Sequence, residues 1–134
     1  MNSKLAVTLT AFSLLAMPAA ARAADMPMDI AVLQALDKAT ARVQKLRVPV
    51  GEAVRFGTLQ IIARTCRERP PEEQPESAVF LDVWESRQGE AAEGVFRGWM
   101  FASSPGLSAM EHPVYDIWVI GCESASSQSQ SNSQ

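Results

Sequence analysis

Beyond residue 30 the chain is written in short alternating runs. Residues 59–66, LQIIARTC, place Leu59, Ile61, Ala63 and Thr65 on one face. Residues 78–85, AVFLDVWE, set Val79, Leu81 and Val83 against Phe80, Asp82 and Trp84. Residues 114–122, VYDIWVIGC, set Val114, Asp116, Trp118 and Ile120 against Tyr115, Ile117 and Val119. A two-residue period predicts strands, because successive side chains leave opposite faces of a pleated backbone. ARVQKLRV (41–48) repeats the pattern with one slip, residues 54–56 form a shorter piece, and VFRGWMFA (95–102) carries Gly98 inside it. A glycine there predicts a bulge or the close approach of another backbone. AVLQAL (31–36) fits either one amphipathic helical turn or a buried strand. Turn chemistry punctuates these runs at DKAT, PVGE, Gly57 and SRQGEAAEG, and no internal repeat is present. The pattern predicts an all-β fold, a small antiparallel β-barrel or sandwich of about six to eight strands with one irregular loop insertion.

Two segments break the rhythm. RERPPEEQPES (67–77) holds three prolines and four glutamates and reads as an exposed connector, since proline removes ladder donors. SSPGLSAMEHP (103–113) is longer. Pro105-Gly106 marks a turn, and LSAMEH leaves room for one helical turn before Pro113 stops it.

The first two dozen residues obey a different logic. Lys4 begins a positive region, residues 5–17 are apolar, and Ala21-Arg22-Ala23 offers small residues where a signal peptidase reads. The apolar run is short for a membrane span. We expect a secretory signal at 1–23, a flexible lead at 24–29, a single β domain at 30–123 and a disordered Ser/Gln-rich tail at 124–134. No later apolar run is long enough for a transmembrane span. The expected location is therefore the periplasm. Losing Lys4 and Arg22 leaves 10 basic and 15 acidic residues, a balance that argues against nucleic acid as a partner. Cys66 and Cys122 in an exported chain predict one disulfide. A redox or metal thiol pair is the alternative, but no Cys-x-x-Cys and no second histidine support it. Closing that loop contributes ~4 kcal/mol in the chain-entropy account.

Candidate chemistry gathers between residues 98 and 122. A hydrolase built on Ser103, Ser104 or Ser108 with His112 lacks a nucleophile elbow. Glu111, His112 and Asp116 suggest a metal-dependent enzyme, though one histidine is few for such a site. Glu85, Glu93, Glu111 and Asp116 would be the stock for a carboxylate pair. Against these, a lone histidine beside proline at a loop-to-strand junction serves as a structural hydrogen-bonding group. No cofactor or metal is expected. The remaining reading is a recognition surface made from Trp99, Met100, Ser104, Leu107, Met110, His112 and Tyr115, because methionine and aromatic residues suit interfaces. Alternation sends Trp99 and Met100 to opposite faces, so only part of the set can be presented together.

LDK-x-T (36–40), VGE-x-V-x-FG-x-L (50–59), Cys66, PPEE-x-PE (70–76) and above all GWMFASSPGLSAMEHPVYDIW (98–118) resemble the bacterial family called domain of unknown function 2155. The resemblance implies a small exported protein, typically alphaproteobacterial, and supports pairing Cys66 with Cys122. It implies no activity, cofactor or catalytic residue. The expectation is an exported, non-catalytic binding module that engages another cell-envelope protein. The alternative is a small periplasmic hydrolase or metal-dependent enzyme centred on His112, Glu111 and Asp116.

Overall fold

The computed structural model describes residues 24–127. The expected signal at 1–23 and residues 128–134 of the expected tail lie outside the described residues. Eight strands follow in order: β1 (Met26–Met28), β2 (Ile30–Asp37), β3 (Arg42–Pro49), β4 (Ala53–Phe56), β5 (Leu59–Glu68), β6 (Ser77–Glu85), β7 (Glu93–Phe101) and β8 (Tyr115–Glu123). All pairings are antiparallel. One sheet runs β1-β5-β6-β7, with β4 also paired to β5; the other runs β3-β2-β8. The two sheets form a sandwich, and among the described residues there is no α-helix.

The core is the inward phase of the alternating runs. Leu59, Ile61 and Ala63 of β5, Val79, Leu81 and Val83 of β6, and Leu33 and Val48 of the facing sheet are buried to 0% exposure. The ambiguous segment 31–36 is strand β2, the centre of its sheet. Residues 30–33 are buried consecutively, so both faces are covered and the alternation that would announce a strand is absent. Cys66 and Cys122 form the disulfide, with Cα atoms 6.0 Å apart, joining the two sheets.

Four local expectations need correction. The expected flexible lead contains β1, which pairs Met28 with Cys66, extends the larger sheet and packs Met28 against the core. Ordered contacts also run past residue 123: residues 125–127 form a 3-10 turn, and the Ala125 amide donates to Asp29 Oδ2 at 2.9 Å. No helical turn forms over 107–112. The chain makes turns through Ser108, closed by hydrogen bonds from the Ser104 amide to the Phe101 carbonyl and from the Leu107 amide to the Ser104 carbonyl. The bulge predicted near Gly98 falls instead at Val95, where the register slips between Val83 and Trp84. At Gly98 the vacant side-chain space faces the Phe96 ring, 3.5 Å from where a Cβ would sit.

Candidate functional site

The inward stripe of β6 does not end with Val83. The next residue in phase is Glu85, a carboxylate at the rim of the core and only 8% exposed. Three elements meet it there. Thr58, in the two-residue turn between β4 and β5, donates from Oγ1 to Glu85 Oε1 at 2.9 Å. Arg87 donates to Oε2 at 3.0 Å. His112 Nε2 stands 3.2 Å from the same oxygen, within ion-pair range but off the linear hydrogen-bond direction. Burial is the largest single influence on the Glu85 carboxyl and pushes it up. The interactions with Thr58, His112 and Arg87 together outweigh burial and hold it below the usual glutamate range.

His112 is buried, and its position is fixed through Nδ1. Its Nδ1 accepts the amides of Val114 at 3.0 Å and Tyr115 at 3.1 Å. Accepting two N–H bonds requires the lone pair, which assigns the ring proton to Nε2, toward Glu85. The ring stacks on Tyr115 with centroids 5.2 Å apart, and Tyr115 meets Phe56 edge-on at 5.5 Å. Its carbonyl accepts from Lys38 Nζ at 2.8 Å. The two backbone amides that hold Nδ1 come from the residues just after Pro113, so the imidazole caps the entry into β8.

This geometry gives residues 102–114 a definite role. β7 ends beside the start of β6, and β8 begins beside the end of β6, so the connection runs the length of the sandwich. It is clipped at one end by Glu76, which accepts from the Ser103 amide at 3.1 Å and from the Ser103 hydroxyl. His112 clips the other end. Between them Met110 is buried at 3% exposure in the core cluster. The segment is a strap that closes the open side of the sandwich. The Glu76 carboxyl is also lowered: burial pushes it up, but bonds from Ser103 and Ser77 and the charge of Arg69 prevail.

The expected binding residues therefore separate. Met100, Met110 and His112 are buried and are unavailable as surface contacts; Tyr115 is half-buried against Phe56 and His112. Ser104 and Leu107 lie at the strap's exposed tip, Leu107 at 72% exposure. Trp99 faces outward at 39% exposure. Of the alternative enzyme centre, Glu111 is exposed and Asp116 pairs with Lys38 at 3.3 Å. His112 is buried and turned to Glu85, with its Nδ1 occupied by two backbone amides. Among the described residues no three His, Cys, Asp or Glu side chains come together as a metal set.

Trp99 belongs to a surface that the sequence reading missed. Strand register places Phe80 opposite Trp99, Asp82 opposite Arg97 and Trp84 opposite Gly94, all on the outer face of the larger sheet. Phe80 and Trp99 meet edge to face at 5.5 Å, with the Arg97 guanidinium 6.0 Å from the Phe80 centroid. Trp84, 37% exposed, covers Gly94, where a Cβ would lie 3.6 Å from its ring. Asp82 is buried between Arg64 at 2.9 Å and Arg97 at 3.7 Å. Arg67 takes an outward position on β5. At the outward positions of β5, β6 and β7, three arginines thus accompany one acid, amid Trp84, Trp99 and Phe80. The signal was present in the alternation of 78–85, whose outward phase reads Phe80, Asp82, Trp84.

Taken together, the chain is a small, disulfide-joined β-sandwich with a clipped strap and an aromatic, arginine-bearing outer face. It belongs to the family described as uncharacterized protein conserved in bacteria (DUF2155), which matches residues 31–122. It is also similar to the uncharacterized protein RP359 of Rickettsia prowazekii (strain Madrid E), 31% identical over 88 residues, which cover 66% of this chain and 57% of that protein. The matched stretch thus spans little more than half of that relative's length. No solved structure matches. Among the described residues no helix is long and apolar enough to cross a membrane.

Proposed function

We propose that this is an exported, periplasmic binding domain without catalytic activity, which engages another cell-envelope protein through the outer face of its larger sheet. The observation that carries the reading is the cluster of Trp84, Trp99, Phe80, Arg64 and Arg97. Tryptophan and arginine are the residue types that dominate interface energetics. Two half-exposed indoles on one sheet face are apolar area that a free domain has no reason to present. The arginine excess on this face stands out in a chain with 15 acidic residues, and it suits a partner with acidic and apolar groups side by side. The enclosed His112, its Nδ1 held by two amides, supports a structural role for the strap rather than a reaction centre.

The test is a Trp84→Ser, Trp99→Ser double variant expressed at native level in its own host. The reading expects loss of the partner contact and the phenotype of a deletion, with the fold retained. A folded variant with full function would refute it.

A further inference from the structure

The inward stripe of β3 contains an anomaly. Val48 and Leu46 are core residues, but the next two inward positions are Gln44 and Arg42, both exposed. Inward positions on a sandwich strand are apolar where the sheets close over them. Here the stripe turns polar because it reaches the open end of the sandwich. Arg42, Gln44 and Asp37 from the β2–β3 hairpin, Arg55, Phe56 and Gly57 from β4 and its turn, and Tyr115 from β8 line one cleft there.

The cleft's charges are unspent. Neither the Arg42 nor the Arg55 guanidinium makes an ion pair or hydrogen bond with another described residue. Asp37 is the one acid in the lining, and its Oδ1 is engaged by the amides of Ala39 at 2.9 Å and Thr40 at 3.2 Å to hold the hairpin turn. The Tyr115 hydroxyl accepts the Thr58 amide at 3.4 Å, which leaves its own proton to donate. Gly57 makes room for that hydroxyl at the turn: its φ is +58°, and a Cβ there would fall 2.3 Å from the phenolic oxygen. Phe56 and the Tyr115 ring supply an apolar floor.

We infer that this mouth is a binding site for a small organic oxyanion, a carboxylate or phosphate held by Arg42 and Arg55 and by the Tyr115 hydroxyl, with an apolar body against Phe56. Two guanidiniums present paired N–H donors that match an oxyanion's oxygens, and the mouth of a β-sandwich offers a concave wall on which to aim them. The site is separate from the Trp84–Trp99 face and stands or falls independently of it.

The experiment is an NMR titration of the oxidised domain, at constant ionic strength, with sodium benzoate and separately with inorganic phosphate. The expected result is saturable shifts confined to the amides of residues 37–44, 55–58 and 115. The anion giving the tighter curve identifies the headgroup as carboxylate or phosphate. Arg42→Gln with Arg55→Gln, at exposed positions without partners, should leave the spectrum otherwise native and weaken binding about tenfold or more. No saturable shift with either anion, or shifts unchanged in the folded double variant, would overturn the assignment.

Discussion

Glu85 Oε2 and His112 Nε2 stand 3.2 Å apart across the end of the core, joining the last inward position of β6 to the far end of the strap. The histidine is held from behind by two amides, so the contact fixes a loop rather than prepares a base. His112→Ala removes the acceptor of both amides and leaves Glu85 short of a partner. The expected cost is roughly 1–3 kcal/mol in denaturant unfolding. Binding to the partner should survive at temperatures where the variant is folded. Lost function with unchanged stability would instead restore a chemical role for the ring.

Acid should loosen the strap. Glu76 and Glu85, which clip its two ends, both have folded pKa values below the usual one. A depressed folded value contributes stability that is fully present above the unfolded value, near 4.3 for glutamate, and is lost as pH falls through the lower folded value. Unfolding free energy should therefore be flat on this account near neutrality and decline as the solution is taken below about pH 4.5. Glu76→Gln with Glu85→Gln should flatten that acid limb. An acid limb as steep as in the parent protein would assign the loss to other groups.

Gly57 is constrained twice. Its φ of +58° is ordinary for glycine and costly for an L-residue, and the space a Cβ would fill holds the Tyr115 hydroxyl. Gly57→Ala should destabilise by about 1–3 kcal/mol, through backbone strain and displacement of Tyr115. Adding Tyr115→Phe should recover part of that loss by removing the clashing oxygen. No recovery in the double variant would assign the cost to backbone strain and to the ring carbons Cζ and Cε1, which lie 2.7 and 3.0 Å from the same point.

The Cys66–Cys122 bridge joins β5 of one sheet to β8 of the other, across 56 positions of chain. Replacing both with serine should cost roughly 2–5 kcal/mol. Intact mass of protein purified from the envelope should be two hydrogens lighter than after reduction.

Much of the fold was legible because most strands are buried on one face. The alternation at 59–66, 78–85 and 114–122 marked β5, β6 and β8. It failed at β2, where burial on both faces erases the period, and at β1, whose three residues Met-Pro-Met are too few to show a period. The disulfide followed from compartment and cysteine count, and it is present. The strap's function was not legible, because its clips are non-local: Glu76 meets Ser103 and Glu85 meets His112, each across 27 positions. One clue was available. Val79, Leu81 and Val83 point inward, so Glu85 had to follow them and required buried partners. The same count, taken on the opposite phase, would have found Trp84 beside Phe80 and displaced attention from the loop to the sheet.

The most direct measurement of the central claim is site-specific photo-crosslinking in the native envelope. A photoreactive residue would replace Thr65, which the β5 register shift after Ala63 turns to the outer face beside Phe80 instead of the core face its alternation predicts, or Phe101 on the same face, Leu107 at the strap's tip, or Lys45 on β3, one position at a time. The account predicts one discrete protein adduct from the outer-face positions, abolished by Trp84→Ser with Trp99→Ser, and none from Lys45. Adducts from Leu107 or Lys45 alone, or no protein adduct from any position, would contradict it.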